Sequence, residues 1–170
     1  MLEVRRIGPD AAETFAALCV QTFRRAYADL HDAADLDAYC AAHYSVEAAR
    51  ATLENPAHIC TLAELDGRAI GYSVVRDAPC PLPLAGASAE LKQLYLLPEA
   101  FGAGIGRALL DDALKSARAL GAAHIWLAVA DINPRGPPFY RKAGFAYAGA
   151  GPTFHVGKDV VTSKIMARAI

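Results

Sequence analysis

The residues best suited to chemistry in this chain are glycines. Gly102-Ala103-Gly104-Ile105-Gly106 sets three of them at alternate positions, just before a run of helical apolar spacing. Glycine lets the backbone turn tightly and approach a ligand with no Cβ in the way. The first turn of the following helix offers unpaired N–H groups and the positive end of its dipole. Together these fit a pyrophosphate cradle built mainly from backbone. They also fit a plain strand-to-helix connection, since glycine punctuates many such turns. A dinucleotide (NAD) site asks for G-x-G-x-x-G in the first βαβ unit and an acidic residue closing the next strand. Here the spacing is G-x-G-x-G and comes late in the chain, although Asp131 does follow the next strand, so that match is partial. No Gly-Lys-Ser/Thr follows the glycines, which removes a Walker-type nucleotide site.

Other chemistries have less support. Cys19, Cys40, Cys60 and Cys80 show no C-x-x-C spacing, and their neighbours are largely apolar, as expected of small buried residues in a reducing compartment. Cys60 and Cys80 have no His or Lys neighbour in sequence that would activate a thiolate. His31, His43, His58, His124 and His155 are scattered with no H-x-x-x-H pair, so no metal site is expected. Asp29, Asp32, Asp35 and Asp37 crowd one short segment; they read as a solvated helix face or as an acidic lip that draws in cationic amines.

The elements that must position these residues follow from pattern. Leu2 to Ile7 alternates apolar and charged residues as a strand does. Pro9-Asp10 opens a helical pattern with Ala12, Phe15, Ala16, Cys19, Val20 and Phe23 on one face. Helical spacing continues from Asp32 to Tyr44, and Ser45 caps a further helix from Val46 to Leu53 that Asn55-Pro56 ends. His58–Leu65 and Arg68–Val75 flank Asp66-Gly67, a strong hairpin signal. After a proline-rich connection come a strand over 89–97, the glycine turn, a helix over 107–120 closed by Gly121, a strand over 124–130 and a short helix over 139–143. Val156 to Met166 reads as a hairpin returning through a final strand. The order expected is β-α-α-β-β-β-α-β-α-β-β, a single mixed α/β (α+β) domain over residues 1–170 with a mixed central sheet.

Composition narrows the function. Of 170 residues 54% are hydrophobic and 21% charged, enough apolar material for a core without disulfide or metal staples. Seventeen basic against eighteen acidic residues, a net charge of −1, argue against a nucleic-acid partner. No apolar run is long enough for a membrane span, and MLEVRRIGPD lacks the apolar stretch of a signal peptide, so a cytoplasmic protein is expected.

Two linked segments carry a resemblance. Phe101-x-x-Gly104-x-Gly106 is similar to the Gln/Arg-x-x-Gly-x-Gly/Ala signature of the GNAT superfamily of acetyl-CoA-dependent N-acetyltransferases. Asn133 followed by Phe139-Tyr140-Arg141-Lys142-Ala143-Gly144-Phe145 resembles that family's second signature, one strand and one helix later. The match runs from Glu90 to Phe145, and the element order fits nearly the whole chain. The resemblance implies that the backbone of Leu94, Tyr95 and Leu96 pairs with the pantetheine arm of acetyl-CoA. It makes Gly102, Ala103, Gly104, Ile105, Gly106 and Arg107 the pyrophosphate loop and Asn133 a cofactor contact. It places Tyr140 near the thioester sulfur and Glu90 where several members carry a general base. Phe101 departs from the signature and removes one side-chain contact. Pro134-Arg-Gly-Pro-Pro138 also departs from it and sets the start of the last helix near Pro137.

The chemistry explains the residue types. An alkylammonium of pKa about 10 must lose a proton to become nucleophilic, which a carboxylate can accept through water. Attack on a thioester puts negative charge on the carbonyl oxygen, which backbone N–H groups stabilise. The departing thiolate, with a thiol pKa of about 8.5, can take a proton from a phenol near 10. The expected reaction is direct transfer to a small-molecule or peptide amine without an acyl-enzyme. The closing segment resembles that of bacterial polyamine acetyltransferases, which makes a polyamine one acceptor class beside antibiotics, metabolites and protein N-termini. An acetyl-CoA-binding sensor without catalysis and an NAD-dependent oxidoreductase are the competing readings. An alanine-rich surface and a terminal hairpin are features that support a homodimer.

Overall fold

The computed structural model describes residues 1–170. The alternating opening forms β1 (Leu2–Arg6), and the Phe15/Cys19/Phe23 face belongs to α1 (Ala12–Tyr27). Two further helices precede the next strand: α2 (Ala33–His43) and α3 (Val46–Glu54). They are separate because Ser45 breaks off α2 and caps α3, its hydroxyl accepting from the Ala48 N–H at 3.1 Å. β2 (His58–Leu65) and β3 (Arg68–Arg76) then form the expected hairpin. Asp66 (φ 51°) and Gly67 (φ 79°) both take the left-handed conformation that its two-residue turn requires. β4 (Ser88–Leu96), α4 (Ile105–Ala119), β5 (His124–Ala130) and α5 (Gly136–Lys142) follow.

The chain closes with β6 (Ala146–Ala150), β7 (Phe154–Val156), β8 (Asp159–Val161) and β9 (Ser163–Ala169). The order therefore differs from the sequence expectation in two places: three helices, not two, stand before β2, and four strands, not two, follow α5. α5 starts at Gly136, with Pro137 and Pro138 in its first turn, where a missing N–H costs nothing.

Seven strands form one sheet in the order β1-β2-β3-β4-β5-β9-β6, and β7 and β8 form a separate pair. Every neighbouring pair is antiparallel except β4 with β5. α4 covers one face: its Leu110, Ala113, Leu114 and Ala117 pack on Val75, Leu91, Ile125 and Leu127, and Tyr140 of α5 joins this layer. α1 and α3 cover the other, with Phe15, Leu18 and Ala49 against Leu62, Tyr72 and Val74. Burying each large apolar side chain contributes about 1.5–3 kcal/mol. A third cluster ties α1 and α2 to the β7–β8 hairpin through Phe23, Tyr27, Leu36, Val156 and Val161.

Candidate active site

β4 and β5 are parallel neighbours for only three residues, Ser88↔His124, Ala89↔Ile125 and Glu90↔Trp126. Beyond Glu90 the register of β4 with β3 slips, pairing Val75 with Leu91 but Val74 with Gln93, so that Lys92 is the extra residue of a bulge. From there β4 remains paired with β3 through Leu96, and β5 remains paired with β9. The facing edges, Leu91–Leu96 and Leu127–Ala130, have no strand between them. A parallel strand pair that parts in the middle of a sheet leaves backbone donors and acceptors that only a ligand or water can satisfy. Leu94, Tyr95 and Leu96 all lie on this open edge.

The glycine turn sits at the end of the same strand. Gly102 (φ 79°) and Gly104 (φ 78°) hold left-handed conformations, are exposed, and would meet nothing within 4 Å if given a Cβ. Gly106 is buried instead: a Cβ there would meet Leu96 Cδ1 at 3.2 Å and the Phe139 ring at 3.5 Å. Close backbone approach at Gly106 thus brings the start of α4 against the end of β4 and against α5. Ala103 is exposed and Ile105 is buried, so both serve the loop through their backbone. Arg107 is turned along the helix, its Nε donating to Asp111 Oδ1 at 2.9 Å, which leaves its backbone N–H as its contribution to the first turn.

Asn133 and Tyr140 come from the β5–α5 segment. Asn133 Oδ1 accepts from the N–H groups of Arg135 and Gly136, each at 3.1 Å. The proline-rich departure is accommodated in this way, because Asn133 itself fixes the first turn of α5. Its amide nitrogen stays free on an exposed residue. Tyr140 is buried, with its ring against Phe139 and Phe145 at centroid distances of 5.1 and 5.5 Å. Burial alone pushes its phenol above the usual value of 10, so the group holds its proton. Tyr95 belongs to the opposite face and stacks on Tyr72 at 5.8 Å. Burial raises its phenol well above 10, and the phenols of Tyr27, Tyr44 and Tyr140 add to the shift.

Glu90 lies at the last paired position before the opening and is 8% exposed. Arg76, its cross-strand partner on β3, donates to its carboxylate. Sequence reasoning had missed Arg76, which comes opposite Glu90 only through the β3–β4 pairing across the proline-rich connection. On the same side of the molecule a cavity of about 160 Å³ lies between α1, α2, α3 and β4, with Tyr39, His43, Tyr44, Lys92 and Gln93 among its walls. Of the acidic segment, Asp32 is exposed at the start of α2, Asp35 lies against Gly157 of the β7–β8 turn, and Asp37 pairs with Arg24 at 2.6 Å. His31 is also more than a scattered histidine. Its ring is buried, and Asp159 Oδ2 lies 2.8 Å from Nδ1, which ties the α1–α2 turn to β8.

Residues 20–145 match the family model described as the acetyltransferase (GNAT) family. An uncharacterized N-acetyltransferase of Mycobacterium tuberculosis (strain ATCC 25618 / H37Rv) is 31% identical over 170 residues, 100% of this chain and 99% of that one. A streptothricin acetyltransferase of Streptomyces lavendulae is 36% identical over 67 residues, 39% of this chain and 35% of that one. Among solved structures, the PaiA N-acetyltransferase of Thermoplasma acidophilum, in complex with coenzyme A, shares the fold. Its TM-score is 0.81 at 24% identity, covering 100% of this chain and 99% of that one. With a family model covering most of the chain and a relative matched end to end, the protein belongs to the GNAT family of acetyltransferases.

Proposed function

We propose that this acetyltransferase moves the acetyl group of acetyl-CoA directly onto a primary amine, with Glu90 and Tyr140 as its acid–base pair. The observation that carries this reading is the opening of the sheet: β4–β5 pairing stops at Glu90↔Trp126 and leaves the Leu94–Leu96 edge free beside the left-handed glycine loop. The residues fit the co-substrate. An extended arm entering the opening meets backbone groups of Leu94, Tyr95 and Leu96 in strand-like fashion, and the loop from Gly102 to Arg107 leads into the first-turn amides of α4 that suit a pyrophosphate. Asn133, its Oδ1 used in holding α5, offers Nδ2 as a donor. When bound, acetyl-CoA supplies the activated acetyl carbonyl.

The carboxyl group of Glu90 is held in place by Arg76 at the mouth of the opening. As the N–C bond forms, the amine proton becomes acidic enough for a carboxylate to accept, directly or through water. Tyr140 carries the phenol that supplies a proton as negative charge builds on the leaving sulfur. Buried cysteines support transfer without an acyl-enzyme: the thiol of Cys19 is pushed up to about 12 and that of Cys60 to about 11, chiefly by desolvation. Such thiols carry almost no thiolate at neutral pH.

For the acceptor, the reading is a small cationic amine, with polyamines as the first class to try. Asp32 and Asp35 stand where α2 meets the terminal hairpin and supply local negative charge to a chain that is nearly neutral overall. The test is initial-rate kinetics with acetyl-labelled acetyl-CoA. Intersecting double-reciprocal lines and no label on the protein are expected. Parallel lines with a labelled protein would replace direct transfer by an acyl-enzyme route.

A further inference from the structure

Position 101 departs from the glycine signature, and what the fold does about that departure concerns a residue 34 positions away. Phe101 is 41% exposed at the entrance to the loop. The guanidinium of Arg135, from the turn between β5 and α5, lies over its ring with Cζ 4.5 Å from the centroid. The two segments that flank the opening are thus joined at their tips by a cation–π contact. Of the other cations, Arg107 bonds Asp111 at 2.9 Å and Lys164 faces Asp131 at 3.7 Å, while Arg141 and Lys142 lie exposed farther along α5 and are not seated on Phe101. Arg135 pairs with no carboxylate, and its charge meets only the phenyl face.

We propose that Arg135, seated on Phe101, is the clamp for the phosphates of coenzyme A, returning from the β5–α5 turn the side-chain contact that position 101 leaves out. This rests on the acetyl-CoA reading above and assigns a residue that the glycine signature does not contain. With its Cζ over the ring, the guanidinium makes no hydrogen bond within the protein and keeps its fork of N–H donors, the group that binds phosphate oxygens in pairs. The backbone of Arg135 is fixed as well, since its N–H donates to Asn133 Oδ1. One turn therefore presents two donors toward the ligand, the Asn133 amide and the Arg135 guanidinium, on a shared rigid frame. Near-neutral net charge is no obstacle, because a single unpaired arginine at the loop supplies the cation locally.

Isothermal titration of wild type, Arg135→Gln, Arg135→Lys and Phe101→Leu with coenzyme A, 3′-dephospho-coenzyme A and acetyl-pantetheine tests this. Loss of one charge-assisted contact is expected to weaken coenzyme A binding about tenfold in Arg135→Gln. Acetyl-pantetheine, which lacks the nucleotide phosphates, should bind all variants alike. Arg135→Lys keeps a charge but not the stacked fork and should recover only part of the loss, and Phe101→Leu should lose affinity without any change of charge. A defect that persists with the dephospho compound places the contact on the pyrophosphate, and one that vanishes places it on the 3′-phosphate; both support the clamp. Coenzyme A Kd within twofold of wild type in Arg135→Gln overturns it, as does an equal loss for acetyl-pantetheine. A lowered melting temperature of the free variant with unaltered affinity would make the pair purely structural and overturns it too. Wild type that binds no coenzyme A at all would instead refute the reading on which the clamp rests.

Discussion

Alanine at Gly104 separates what the loop does for the chain from what it does for a ligand. Gly104 has φ 78° and Gly121, at the opposite end of α4, has φ 80°; a Cβ at either position meets nothing within 4 Å. Neither substitution causes a clash, so the cost is backbone strain alone. A side chain in the left-handed region costs about 1–2 kcal/mol, offset by about 0.4–1 kcal/mol from a less flexible unfolded chain. Each variant should lose about 1 kcal/mol, a fall in Tm of about 2–4 °C for a chain of this size. The two should then part company. The Gly104 methyl group stands in the exposed loop at the start of α4, and coenzyme A affinity should drop at least about tenfold, roughly 1.4 kcal/mol. Gly121 only ends the helix, and its variant should keep Kd within about twofold, a change of roughly 0.4 kcal/mol. Thermal unfolding and calorimetric titration of both proteins measure this. Equal Tm losses with undiminished affinity in Gly104→Ala would refute the phosphate-loop assignment and leave the glycines as chain-turning residues.

Other perturbations have equally specific outcomes. Tyr140→Phe keeps the ring contacts with Phe139 and Phe145, so the fold should be retained while kcat falls about 10²-fold, roughly 2.7 kcal/mol of barrier; an unchanged kcat removes Tyr140 from proton transfer. Asn133→Ala strips the acceptor from two α5 amides and should cost about 1 kcal/mol of stability as well as raising KM for acetyl-CoA. Asn133→Asp keeps the acceptor and loses the donor, so stability should survive while KM still rises; a normal KM would confine Asn133 to capping. Tyr72, Tyr95 and Tyr140 all have phenols raised by burial. The unfolded chain therefore releases their protons first, and stability present below pH about 10 should be lost as pH climbs past it. A melting temperature that stays level from pH 9 to pH 11 would contradict that burial. Asp32→Asn with Asp35→Asn should raise KM for a polyamine and flatten its salt dependence; no change in either removes the acidic lip.

The parts of this molecule that sequence disclosed are those where one residue type is nearly obligatory. Left-handed turns demanded glycine at 102 and 104, the two-residue hairpin turn showed as Asp66-Gly67, and Ser45 announced the start of α3. Alanine was the main source of ambiguity. In α2, Ala33, Ala34, Ala38, Ala41 and Ala42 favour a helix but mark no face, because alanine is tolerated both inside and out. Helical spacing from Asp32 to Tyr44 was visible for that reason only as spacing, and the expected order counted two helices before β2 where three stand. The opening between β4 and β5 leaves even less trace in sequence. It arises from a bulge at Lys92 and from strand pairing that simply ends, both of which depend on residues distant in the chain. Arg76 opposite Glu90 and Arg135 over Phe101 are likewise products of tertiary placement. The final strands looked like a hairpin feeding the sheet, whereas β7 and β8 leave it to pack on α1 and α2 through Val156 and Val161.

The measurement that goes most directly to the central claim is thiol release from acetyl-CoA across a panel of amines (polyamines, amino acids, aminoglycosides, streptothricin-type antibiotics and short peptides), with the mass of each acceptor read before and after. The expected result is thiol release that depends on at least one primary amine, is matched mole for mole by an acceptor heavier by one acetyl group, and is lost together in Glu90→Gln and Tyr140→Phe. Thiol release independent of every amine, or amine acetylation that survives both substitutions undiminished, would contradict the assignment of transfer to this opening in the sheet.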